Sequence, residues 1–371
     1  MLYSCIKPYT PDVETAEKEK YVLLGTINNY DTIQSIAVSK TSPLAKPGFL
    51  PVEGCLVSVI NGNGVVFNTQ ELEPGIYKTA IAKQYLVVGA TFHVNVVLPT
   101  GEIIVSTPDT LLNCPVVDTV YYQPKTQATS KPGVLDLGLQ FMLDYKGTTG
   151  DAAYYRWQLT ETWEYHAVYP LEWYYDGMLH HAEPPDYSRF VCWRTQPIQQ
   201  VFTLSTKGLN QNVYHGLPLH FVKNTVSKLK YMYSLQILQS SLSHEAFAYW
   251  EQIRINESIG EGLYERQPVA IKGNLSCVSD PNKVVLGFFG ASMIKQKRIF
   301  VEPIPEFPIE YQEPCSSIFL MQGFDELTPD DYPAYFLSNI NGGFTMNLMS
   351  GECVDCLLLG GTNVKPEYWP K

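Results

Sequence analysis

Residues able to do chemistry are plentiful in this chain, but the sequence groups few of them. Histidines stand at 93, 166, 180, 181, 215, 220 and 244. His180-His181, followed by Glu183 and Asp186, comes nearest to a metal-ligand cluster. It lies in a Pro-rich stretch, and adjacent side chains of an extended chain point to opposite sides. A solvated loop is therefore expected there, and no metal is assigned. Asp325 to Asp331 is rich in oxygen ligands but lacks the EF-hand spacing. No HExxH, GxSxG, P-loop or dinucleotide-binding glycine run occurs, so the reading assigns neither catalytic residue nor cofactor. Cys353-Val354-Asp355-Cys356 has CxxC spacing. A zinc site would add a second CxxC or a CxxH, and no His follows the pair. A redox role would require a helix opening at the motif inside a βαβ unit. A disulfide from Cys315 to either Cys353 or Cys356 is the favoured reading. Cys55, within a strand, and Cys114, just past the last strand of the first domain, form a second candidate pair.

The N-terminus carries a different signal. Met1-Leu2-Tyr3-Ser4-Cys5 matches the end of a bacterial lipoprotein signal, with its charged and hydrophobic parts missing. The expectation is that Cys5 is the acylated mature N-terminus and that residues 1–19, polar and Pro-containing, form the anchor and tether. The balance of 26 basic and 37 acidic residues gives a net charge of −11. That argues against a nucleic-acid partner, since phosphate neutralisation needs clustered Lys and Arg. No run of apolar residues is long enough for a membrane-spanning helix.

The elements that must position these residues read as strands. With 25 tyrosines, 26 glycines and 26 prolines, the composition suits an all-β protein rich in turns. Residues 20–115 carry roughly seven short strands with turns every 8–12 residues, the pattern of an immunoglobulin-like β-sandwich. Asn61-Gly62-Asn63-Gly64 marks a hairpin because both central residues favour positive φ. Residues 116–310 read as a second, larger β-sandwich domain. Its cleanest strand is 229–237, with Leu229, Tyr231, Tyr233, Leu235 and Ile237 on one face. An inserted amphipathic helix follows at 243–257, capped by Ser243, with Ala246, Phe247, Trp250 and Ile253 on its apolar stripe. Strands at 271–278, 284–294 and 298–301 are assigned to the same domain. Residues 311–371 read as a tail wrapping it. Candidate binding loops are 173–187, with Trp173, Tyr174, Tyr175, His180, His181 and Tyr187, and 210–220, with Tyr214.

The stretch 231–300 resembles a family of Bacteroidota proteins catalogued as domain of unknown function 4249. The residues that carry the resemblance are Tyr233-Ser234, Leu242-Ser243-His244-Glu245, Tyr249-Trp250, Gln267-Pro268, Gly273-Asn274, Asp280, Val285-Leu286-Gly287-Phe288-Phe289 and Arg298-Ile299-Phe300. Pro74-Gly75-Ile76-Tyr77, Tyr154-Tyr155-Arg156, Cys192-Trp193, the CxxC pair, Gly360-Gly361 and Lys365-Pro366-Glu367-Tyr368-Trp369 extend it in order along the chain. The resemblance implies a non-enzymatic outer-membrane lipoprotein, lipid-anchored at Cys5, that serves a TonB-dependent receptor or another envelope complex in nutrient uptake as an accessory or substrate-capturing partner. It names no ligand. A structural adhesion or assembly module and an unrecognised hydrolase are the alternatives.

Overall fold

The structure, a computed structural model, describes residues 19–43, 46–129, 131–258 and 271–371. The chain forms two compact units: Met1–Leu112 with Tyr264–Ser292, and Asn113–Leu263 with Met293–Lys371. Both are built from β-sheets. Among the described residues no helix is long and apolar enough to cross a membrane.

The first unit opens with β1 (Tyr21–Asn28), β2 (Ile33–Lys40), β3 (Leu50–Pro51), β4 (Leu56–Asn61) and β5 (Val66–Asn68). It continues with β6 (Gln70–Glu73), β7 (Ile76–Ala80), β8 (Thr91–Val97), β9 (Ile103–Ser106) and β10 (Asp109–Thr110). The Asn-Gly turn joins β4 to β5, and Asn61 Oδ1 accepts from the amides of Asn63 and Val65 at 3.0 and 2.9 Å. One sheet contains β1, β2, β3, β6 and β7; the other contains β4, β5, β8, β9 and β10. Tyr77 links them: its buried hydroxyl donates to Val52 O at 2.8 Å and accepts from Cys55 N at 3.0 Å.

Each of these sheets gains a sixth strand from far along the chain. β19 (Leu275–Cys277) pairs with β9, and β20 (Val285–Ser292) runs parallel to β1. This corrects the placement of 271–278 and 284–294 in the second domain. Gly287, at φ +99°, sits opposite Leu23, where a Cβ would collide with the Leu23 carbonyl. The turn at Asp280 therefore joins strands of two different sheets. A parallel partner lies beyond a long crossover, so neighbouring residues carry no trace of it.

The second unit contains β11 (Val120–Ala128), β12 (Leu135–Lys146), β13 (Tyr154–His166), β14 (Leu171–Tyr175), β15 (Leu179–Asp186), β16 (Val191–Ser205) and β17 (Val213–Lys223). β18 (Tyr233–Ser241), α1 (His244–Ser258), β21 (Ile294–Val301), β22 (Ser317–Phe319), β23 (Ala334–Ser338) and β24 (Phe344–Met349) complete it. The sheet β11-β12-β17 faces the sheet β16-β13-β18-β21. Aromatic contacts fill the space between them: Phe141 lies 5.4 Å from Tyr233, and Tyr145 lies 4.4 Å from Tyr155. A third sheet, β15-β14-β23-β24-β22, has its own core of Leu320, Ala334 and Phe336. Ser243 Oγ accepts from Ala246 N at 3.1 Å at the start of α1. The helix packs on β13 and β16 through Ala246 and Tyr249, with Phe247 stacked on Tyr154 at 4.8 Å and Trp250 under the Arg156 guanidinium at 3.5 Å.

Three further expectations change. The strand expected at 229–237 begins only at Tyr233 and runs on to Ser241, while Leu229 closes a 3₁₀ turn (Ser227–Leu229). The added end of that strand is polar, yet Gln239, Ser240 and Ser241 are buried. Gln239 accounts for its burial by accepting from Trp157 Nε1 at 3.0 Å and donating to Pro115 O at 2.8 Å. The loops expected at 173–187 and 210–220 are largely strand: β14 and β15 form an antiparallel hairpin, and β17 spans most of the second stretch. Finally, 311–371 is no simple tail, since β22, β23 and β24 build most of the third sheet.

Candidate functional site

The residues expected at binding loops do not converge on one site. Trp173 stacks on His181 at 3.9 Å and Tyr174 on His180 at 4.5 Å, as cross-strand pairs of the β14–β15 hairpin. Tyr175 stacks on Phe324 at 4.5 Å. His180 Nε2 lies 2.8 Å from Asp176 Oδ1. These contacts explain the cluster as sheet packing. Tyr187 is exposed and lies 5.4 Å from Phe190, and Tyr214 is on β17 in another sheet. Among the described residues no group of His, Cys, Asp and Glu could hold a metal ion. Cys5 lies outside the described residues.

Cys315 is joined to Cys353, one of the two pairings left open. Cys356 is joined to Cys192 on β16, across a sequence separation of 164 residues. The candidate Cys55–Cys114 pair is not formed. Both are buried thiols, Cys55 beneath the Tyr77 hydroxyl and Cys114 against Gln239. Burial pushes the Cys114 thiol up to about 11.

The geometry gathers a different set. Along β13, Trp157, Leu159, Glu161, Trp163 and Tyr165 are all buried, each two residues from the next. Glu161 is only 1% exposed. Its carboxylate accepts from Lys228 Nζ at 2.5 Å, Gln196 Nε2 at 2.6 Å and the Tyr233 hydroxyl at 3.0 Å, and His220 Nε2 stands 3.4 Å away. Burial alone would raise the Glu161 pKa, but His220, Lys228 and Gln196 together hold it down to about 2. The neighbouring Lys228 ammonium lies 4.8 Å from the Trp163 ring centroid.

Beyond Glu161 the row opens into a cleft of about 150 Å³. Trp163, Tyr165, Tyr231 and Tyr311 supply aromatic walls, and Arg194, Lys230 and Glu313 supply charge. Tyr231 stacks on His166 at 3.7 Å, and Lys230 pairs with Glu313. Burial opposes the charge on Lys230, but Glu313 outweighs it and raises its pKa. Arg194 donates from Nη1 to Leu359 O at 3.3 Å, with its guanidinium 5.8 Å from the Trp163 ring centroid. It makes no ion pair among the described residues. Ser227 and His166 also line the cleft, but no hydrogen bond joins them among the described residues; His166 Nε2 lies 2.8 Å from Glu164 Oε1. A second hollow of about 500 Å³, bordered by Tyr174, holds Arg189 already paired with Asp355 at 2.7 Å.

Sequence reasoning named Tyr231 as a strand residue and His166 among scattered histidines, but it did not gather the cleft. One signal was available: Glu161 is a carboxylate at an inward position of an alternating aromatic strand. Nothing local connects Arg194 with residues 311–313 and 359.

Fold and cleft together define an all-β, two-unit protein with a small preformed hollow at one end of its second sandwich. The chain belongs to the family described as "Domain of unknown function (DUF4249)", which matches residues 6–298. No curated protein sequence matches. Solved structures with weak similarity include the following two. Trypsin-activated alpha-2-macroglobulin from Escherichia coli is 12% identical at a TM-score of 0.20, covering 61% of this chain and 15% of that one. A DUF4785 family protein from Legionella pneumophila is 10% identical at a TM-score of 0.17, covering 58% and 51%. The chain thus spans only part of either protein.

Proposed function

We propose that this chain is a lipid-anchored binding protein of the outer membrane, held through Cys5, that captures a ligand for a TonB-dependent receptor or another envelope complex. The observation that supports it best is the cleft beyond Glu161: four aromatic walls, two of them fixed on β13, with a cation left over to meet a ligand. Such a hollow suits recognition, because few groups need to be ordered when a ligand enters. The lipid and tether would leave the acidic body free of the anionic membrane surface. A tagged chain isolated from native envelopes should recover an outer-membrane β-barrel, and its intact mass should carry acyl chains at Cys5. An unmodified Cys5 and an empty pull-down would sink this reading. They would favour a structural adhesion or assembly module, whose melting temperature would then be unmoved by any small ligand.

A further inference from the structure

We infer that the cleft binds a small carboxylate carried on a single six-membered ring, with Arg194 receiving the carboxylate. The inference deepens the ligand-capturing reading above and rests on it. Size is the first argument. A hollow of about 150 Å³ is of the volume that admits one benzene-sized ring. Wall chemistry is the second. Trp163, Tyr165, Tyr231 and Tyr311 offer flat faces on which either an aromatic ring or the apolar face of a sugar ring can lie.

Charge decides the class. The lining has two cations, Arg194 and Lys230, against one carboxylate, Glu313. Lys230 and Glu313 neutralise each other, which leaves Arg194 as the unbalanced charge. In a chain of net charge −11 this is a local reversal of sign. A guanidinium is also the better receptor for a carboxylate, because its planar fork donates two parallel hydrogen bonds. Only one donation to Leu359 O is already committed.

The wall behind Arg194 is fixed before any ligand arrives. The Cys192–Cys356 disulfide ties the Leu359 turn to β16. Tyr165 donates its hydroxyl to Cys356 O at 3.1 Å, and Trp193 and Thr362 exchange backbone hydrogen bonds at 2.8 and 2.9 Å. Rigid placement of this kind lowers the ordering cost of binding.

Calorimetric titration of the full chain at neutral pH tests the inference, with benzoate and glucuronate as probes and benzamide and glucose as their neutral counterparts. At least one carboxylate should bind about tenfold or more tightly than its neutral counterpart. Which one does so separates an aromatic acid from a sugar acid. Arg194→Gln should abolish that margin and leave the melting temperature unchanged, since Arg194 is exposed; Arg194→Lys should restore only part of it. Absence of carboxylate binding at millimolar concentration, or equal binding by Arg194→Gln, overturns the proposal. Recovery of a β-barrel receptor by a wild-type chain that binds neither acid removes this site and leaves the partner reading standing. Carboxylate binding without a receptor supports the site and removes the partner.

Discussion

At the scale of single residues, Glu161 carries the largest electrostatic consequence. It is a carboxylate almost fully removed from water, and each oxygen has a donor: Lys228 and Gln196 on one, Tyr233 on the other. Breaking a buried pair from one side leaves the other charge uncompensated. Glu161→Gln should therefore cost about 2–3 kcal/mol in urea unfolding at neutral pH. The pH dependence has a definite sign. The folded value, about 2, lies below that of an unfolded glutamate, about 4.3. The stabilisation is thus complete above the unfolded value and is lost as pH falls toward the folded one. The wild type should lose stability between about pH 4 and pH 2 more steeply than Glu161→Gln. Parallel acid limbs in the two proteins would show that folding does not lower the Glu161 pKa.

At the scale of elements, the two disulfides hold the second unit in different ways. Cys315–Cys353 staples a short separation of 38 residues beside β22 and β24, whereas Cys192–Cys356 spans 164 residues and fixes the turn that walls the cleft. Chain-entropy reasoning puts upper limits of roughly 4 and 5 kcal/mol on their contributions. All six tryptophans, at 157, 163, 173, 193, 250 and 369, lie in the second unit. Tryptophan fluorescence therefore reports that unit alone. A reductant should shift the fluorescence transition to lower urea and leave the unfolding of the first unit, whose Cys55 and Cys277 are unpaired thiols, unchanged. A shift in both would mean that the units unfold as one. These elements also show what the sequence revealed. Alternation and turn residues located most sandwich strands within residues 20–115, and the Ser243 cap located the helix, because both signals are local. The bond from Cys192 to Cys356 was hidden by distance along the chain. The hairpin β14–β15 was hidden by prolines, which suggested a loop although the edge of a sheet tolerates them. The third sheet went unread because its strands are short and separated by turns.

At the scale of the whole molecule, the chain leaves the first sandwich after Leu112 and comes back to finish it with β19 and β20. The return is not peripheral. β20 pairs with β1 along its full length, from Tyr21↔Val285 to Asn28↔Ser292. Phe289 is fully buried and Phe288 nearly so. Asp109 accepts from Ala291 N at 2.9 Å, and the Asn274 side chain both accepts from Phe289 N at 3.0 Å and donates to Phe289 O at 2.8 Å. Burying the two phenylalanines alone is worth about 3–6 kcal/mol, against a total domain stability of about 5–15 kcal/mol. A fragment of residues 20–115, a complete sandwich by its local pattern, lacks this contribution and leaves the edges of β1 and β9 open. It should show no cooperative melting and poor amide dispersion. Joining residues 271–292 to it through a flexible linker should restore both, because the missing strands then return at high effective concentration. Cooperative melting of 20–115 by itself would mean that β19 and β20 decorate a sandwich that folds without them. Failure of the joined fragment would mean that the second unit supplies more than the crossover between its strands.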